Sequence, residues 1–155
     1  MAEFRSIHSK IWDDEWFSSL DYDGKVFFIY LITNRRASVA GIYRLPERVA
    51  SAESGIPLDR IRELYNQFSE DGKVFTEKDI VWVAKLRKYQ DTGSDTVAKR
   101  INKDIDEIPD CELKRRYLAY YIPSPYPIDN TVSIPYPQNV HDTDTDTDTD
   151  TDTDT

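Results

Sequence analysis

The chain has 155 residues, with 20 Lys/Arg and 29 Asp/Glu, giving a formal net charge of −9. Seven of the acids alternate with Thr after His141 (Asp142, Asp144, Asp146, Asp148, Asp150, Asp152 and Asp154), and without them the balance is 20 against 22, or −2. Residues 1–90 hold 14 bases and 14 acids, so the overall acidity, which would count against a nucleic-acid partner, reports the tail and leaves the body neutral.

The start, MAEFRSIHSKIWDDEW, has no apolar run of the kind that opens a secretory leader. Within SIHSKIWDDEWFSSL, Ile7, Ile11, Trp12, Trp16 and Leu20 fall at helical spacing, with both Trp also suited to cap a core edge. In DYDGKVFFIYLITNRR, Val26, Phe27, Tyr30 and Leu31 make a broad apolar face and predict a helix from about Asp23 to Asn34. Its VFFIYLI is the longest apolar stretch and is too short to cross a bilayer, so no membrane partner is expected. SVAGIYRLP is a short β-rich run. PERVASAES predicts a short helix, with Pro46 in its first turn and Gly55 just past its end. LDRIRELYNQFSEDG carries one stripe, Leu58, Ile61, Leu64, Tyr65 and Phe68, and predicts a helix over 58–70 ended by Gly72. The period then changes. Val74 and Phe75 form a first arm, TEKD a turn, and Ile80, Trp82, Ala84 and Leu86 alternate along a second arm.

QDTGSD reads as a linker. TVAKRINKDIDEI and DCELKRRYLAYYI predict two helices split by Pro109, with Asp95 and Asp110 as N-caps. The lone cysteine, Cys111, excludes an internal disulfide and a cysteine-cluster metal site. PSPYPIDNTVSIPYPQNV is expected to be an extended strip, and the Asp-Thr repeat too polar and self-repelling to order. The expected fold is α+β, mainly α. A winged helix-turn-helix domain spans 1–90 and a helical extension 91–121. A Pro/Tyr-rich linker at 122–141 and a disordered acidic end at 142–155 complete the expected chain.

A helix pair followed by a hairpin suits DNA, because the second helix can enter the major groove while the wing holds phosphates. Removing the stripe from the helix over 58–70 leaves Asp59, Arg60, Arg62, Glu63, Asn66 and Gln67 exposed. Arg60, Arg62, Asn66 and Gln67 are the candidate base readers, since Arg, Asn and Gln match guanine and adenine edges. Arg35, Arg36, Arg48, Lys73, Lys85, Arg87 and Lys88 are candidate phosphate contacts, with Arg44 nearby in sequence. The bland alternative is an ordinary solvated helix face. No enzyme and no cofactor is expected: His8 and His141 are far apart without a nucleophile or ligand spacing, and there is no phosphate loop.

The ordered set FRSIHSKIWDDEWFSSLDYDGKVFFIYLITN, GIYRLPERVASAESGIPLDRIRELYNQFSEDGKV and WVAKLRKYQ, followed by VAKRINKDIDEIPDCELKRRYLAYY, resembles the winged-helix N-terminal domain of phage replisome organisers. These are replication initiators of the same domain type as DnaD primosome proteins. The likeness covers about residues 4–121. It implies non-enzymatic duplex DNA binding at a phage origin, in the cytoplasm of a bacterial host, with a helicase loader and self-association as further partners. Ser51 stands where the family's turn helix usually has Ala, and is small enough to keep close packing. Members continue past the linker into a second domain; on that pattern the expectation is DNA binding retained and recruitment lost. A transcriptional regulator and a protein–protein module of the replication machinery are the rival functions of the same fold.

Overall fold

The structure, a computed structural model, describes residues 4–121. The expected extended strip at 122–141 and the Asp-Thr repeat lie outside the described residues. Two compact units divide the chain, Met1–Lys114 and Arg115–Thr155. The first is mainly helical with one small antiparallel sheet.

The N-terminal segment is not one continuous helix. A single 3-10 turn, Ser9–Asp13, gives way to α1, Glu15–Ser19. Asp14 sits between them in extended geometry and its carboxylate accepts the Phe17 N–H at 2.8 Å, the usual N-cap exchange that ends one element and starts the next. Phe17, absent from the expected stripe, is buried, while Trp12 stays 62% exposed. Helix α2, Tyr22–Thr33, begins the same way, with the Asp21 carboxylate accepting the Gly24 N–H at 2.8 Å. Its Phe27 and Leu31 are completely buried, each such burial contributing about 1.5–3 kcal/mol before entropy is counted. Asn34, which is buried, terminates α2. Its amide donates to the Tyr30 carbonyl and to the Tyr43 hydroxyl, and its oxygen accepts the Arg36 N–H. Tyr43 in turn donates to the Leu31 carbonyl at 2.6 Å, so each polar group taken from water here finds a partner.

Strand β1, Ile42–Arg44, leads into α3, Glu47–Ser54. Pro46 precedes α3 rather than lying inside its first turn, and Gly55 closes it at φ 80°, a left-handed conformation that costs Gly little. Helix α4 is Leu58–Glu70, as its periodicity predicts, with Ile61, Leu64, Tyr65 and Phe68 buried against α2 and α3. Gly72, at φ 75°, turns the chain into β2, Val74–Glu77, and β3, Ile80–Val83. The strands lie in the order β1-β3-β2, all antiparallel. The β2–β3 turn is only Lys78-Asp79, with Lys78 at φ 54°.

The register divides the sheet into two faces. Tyr43, Val81, Val74 and Val83 belong to the main core with α2, α3 and α4. The alternate positions Ile42, Phe75, Trp82 and Ile80 are buried too, although they lie outside that cluster. They point to the other face, where α6, Asp95–Asp106, packs on β1 and buries its own Ile101 and Ile105. The chain also returns there at Leu113, whose N–H donates to Glu77 Oε1 at 2.8 Å. With both faces covered, β3 is buried at every residue, and the in–out alternation expected of it has no solvent side.

The second arm is shorter than its sequence alternation suggests. β3 stops at Val83, and Leu86 opens a short helix, α5, Leu86–Gln90. Helix α6 is capped by the Ser94 hydroxyl, which accepts the Val97 N–H at 3.1 Å, so Asp95 is its first residue and not its cap. Ahead of α7, Glu112–Tyr121, the Lys114 N–H meets Cys111 Sγ at 3.4 Å, which places the cysteine nearer the helix start than Asp110. Within the second unit the Tyr117 and Tyr121 rings lie 4.8 Å apart. Among the described residues no helix is long and apolar enough to cross a membrane.

Candidate nucleic-acid interface

Helix α4 turns a polar face outward, and its two ends differ. At the N-terminal end Arg60 is held by three carboxylates: its guanidinium meets Asp21, Asp23 at 3.3 Å and Glu63 at 3.0 Å. Asp21 and Asp23 lie at the start of α2, so this arginine ties α4 to α2. The hydrogen bond that Arg60 donates to Glu63 is the main cause that holds its pKa above the ordinary arginine value. Arg62 pairs with Glu47 at the start of α3, at 3.0 Å, and is likewise held up, first by that hydrogen bond. Asp59 is exposed on the same helix. Five carboxylates thus surround two guanidiniums, and this end is acidic.

Both arginines were expected to be open for base edges, and the geometry separates them. Arg62 has 57% of its side chain exposed and a single partner, whereas Arg60 is only 27% exposed and is triply engaged. Arg60 is a positioning residue for α4, not an open reader. Asn66 and Gln67, a turn further on, are exposed.

The C-terminal end carries Glu70 and Asp71, both exposed, with Lys73 just beyond them. Lys73 follows the helix and holds its ammonium 5.3 Å from the centre of the Trp16 ring. The Trp16 indole N–H donates to Asp71 at 2.8 Å, and the Trp16 ring packs edge-on against Phe28 and Phe68. The Ala84 N–H donates to the Lys73 carbonyl at 3.0 Å, which brings Lys85 and then α5 to the same end. Lys85, Arg87 and Lys88 therefore do not lie on a wing strand as expected. They stand beyond Val83, at the end of the sheet opposite the Lys78-Asp79 turn, because the chain leaves the sheet and coils. Arg87 lies 3.8 Å from Asp91, and Lys88 is 5.9 Å from the centre of the Tyr89 ring. The four residues of β3 lie between these bases and the hairpin turn along the chain.

The hairpin turn belongs to the acidic end. Arg44 pairs with Asp79 at 2.8 Å, and the Leu45 N–H donates to the Asp79 carbonyl at 2.7 Å, two residues before Glu47. Arg36 binds Glu53 at the far end of α3, at 3.3 Å, and Tyr30 donates to the same carboxylate. Glu53 is held below the usual carboxylate value, first by the Tyr30 hydrogen bond. Arg35 and Arg48 are exposed. The eleven expected contacts are thus distributed over three places and do not form one patch. The carboxylates that divide them, Asp21, Asp23 and Glu47, were not singled out from sequence. Their only signal was that each stands at a helix start, where acids are favoured whether or not they bind an arginine.

Among the described residues no group of three or more His, Cys, Asp or Glu could hold a metal ion. Comparison with protein-family models, with curated proteins and with solved structures gives no match for this chain.

Proposed function

We propose that the chain is a winged-helix protein that binds duplex DNA without catalysis, as a phage-type replication initiator. The observation that carries this reading is topological. An α–β–α–α–β–β succession, with strand order β1-β3-β2 and α4 as the exposed second helix of its pair, is the arrangement that delivers a helix to the major groove. The resemblance to replisome organisers supplies the biological setting, and by itself such a likeness does not make a function.

The mechanism starts from α4. Asn66 and Gln67 offer their amides to adenine edges. Arg62 joins them by exchanging Glu47 for a guanine edge or a phosphate, since an exposed ion pair in water holds weakly. Arg60 keeps α4 fixed on α2. Lys73, Lys85 and Lys88, at the far end of the helix, take backbone phosphates, with Arg48 and Arg35 as outlying contacts. Fluorescence anisotropy on duplex DNA across a salt series tests this. Affinity should fall linearly on a log–log plot with a slope of about −0.9 per phosphate contacted. Absence of duplex binding in dilute buffer ends the reading.

A second reading has its own observation. The carboxylates around Arg60 and Arg62 make the leading end of α4 poor at attracting phosphate and suited to a basic protein surface. Loss of duplex binding together with capture of a purified replication partner would favour it. Site mapping separates an initiator from a transcriptional regulator: sites within a replication gene with strand opening, or promoter sites with altered transcription.

A further inference from the structure

Helix α2 differs from α4 and α6 in what it turns outward. Those two expose charge, with Asp59, Arg62 and Glu63 on one and Lys99, Arg100 and Lys103 on the other. In α2 contacts fix the inner side. Phe27 and Leu31 are fully buried, the Tyr30 hydroxyl donates to Glu53 of α3 at 2.5 Å, and the Phe28 ring stands 6.0 Å from Phe68 of α4. At about 100° per residue, Tyr22, Val26, Ile29 and Thr33 fall on the opposite side, spaced as the seam residues of a helix pair are. Tyr22 is 81% exposed and the other three are half-buried. Neither charged residue of the helix covers this line. The Lys25 ammonium turns back to the Ser18 and Leu20 carbonyls, at 3.2 and 2.7 Å, and Asp23 meets Arg60 at 3.3 Å. The Thr33 hydroxyl is taken by the Ile29 carbonyl, to which it donates at 2.6 Å. A helix apolar on every side belongs in a core or an interface.

The charges lie at the two ends of α2 and differ in sign. At the start Asp21, Asp23 and Glu63 outnumber Arg60 and Lys25, and the Asp21 side chain is still 61% exposed. Past the end, Arg35 and Arg36 both act on the Glu53 carboxylate, and Arg35 is exposed. We infer that α2 is the seam of a homodimer, in which two copies pack this helix antiparallel across a two-fold axis between positions 27 and 28. That register sets Val26 opposite Ile29 and Tyr22 opposite Thr33, and it brings the acidic start of each helix to the basic end of the other. An isologous contact requires a surface that complements its own reverse, and the line with its two ends does so. A parallel pair would oppose like ends. A single helix pair buries less than the roughly 1,200 Å² at which standard interfaces begin, so association is weak and depends on concentration. The inference goes beyond the duplex reading and stands without it, since the DNA-free protein tests it.

Sedimentation equilibrium of the full chain, without DNA, measures its mass over a concentration series reaching about 1 mM. The mass should rise from that of a monomer towards twice that value. Ile29→Lys, which sets two ammonium groups near the axis, should raise the dissociation constant at least about tenfold. Tyr22→Lys changes a side chain open to solvent, so it should weaken association while the circular dichroism stays that of wild type; it decides the matter if the Ile29 variant does not fold. Arg35→Ala should weaken an antiparallel pair and would strengthen a parallel one. The inference is overturned if wild type stays monomeric throughout, which leaves the face to a different protein. It is overturned equally if Tyr22→Lys associates like wild type, or if Arg35→Ala fails to weaken association.

Discussion

The two ends of α4 are built from similar residue types and reach opposite results. At the leading end each guanidinium is already matched, Arg60 by Asp21, Asp23 and Glu63, and Arg62 by Glu47. At the trailing end Lys73 and Lys88 face aromatic rings, which leave the positive charge unneutralised. Bases that balance the acids by count are therefore held differently at the two ends. A charge total says little about a partner until each base is placed beside whatever already holds it.

Five variants bear on that contrast. Lys73→Ala combined with Lys88→Ala should have the largest effect. If each contacts one phosphate, a slope of 0.9 per contact costs about eightfold at 0.1 M salt, or roughly sixtyfold together. Duplex affinity unchanged in this variant would erase the functional difference between the ends. Arg62→Ala should reduce the magnitude of the salt slope by about one, and Glu47→Gln should raise affinity by releasing Arg62. If Glu47→Gln weakens binding instead, the exchange of partners is wrong. Arg60→Ala should lower thermal stability by up to about 1 kcal/mol, the range of surface ion pairs, while duplex affinity per folded molecule holds; a larger loss of binding than of stability would make Arg60 a reader after all. The smallest effect belongs to the core beside that end. The Tyr65 hydroxyl is buried without a hydrogen-bond partner, so Tyr65→Phe should leave chemical denaturation within about 0.5 kcal/mol of wild type or improve it, as removal of an unsatisfied polar group does.

The fold was legible where burial has one period and one side. The stripe from Leu58 to Phe68, with Gly72 to end it, matches α4, and Val26 to Leu31 define most of α2. It was not legible where a second layer or a local cap intervenes. Ile80, Trp82, Ala84 and Leu86 keep a period of two through the point where the strand stops, because Leu86 is buried as the first residue of a helix. The N-terminal stripe looked helical because spacing cannot register Asp14, whose carboxylate divides the segment. The candidate site was legible as residue types and not as an arrangement. Arg60 meets partners 37 and 39 residues earlier in the chain, and no local pattern reports such a pairing.

The outer layer over the sheet has a practical meaning for anyone cutting this chain. Ending it after Gln90 looks natural, since a loop follows, but it would strip α6 from β1, on the sheet face that carries Ile42, Phe75, Ile80 and Trp82. Those four side chains would then form a wet, sticky sheet surface ready to pair with any similar one. A shortened polypeptide would clump before its nucleic-acid affinity could be read, whereas one that keeps α6 retains its cover over β1.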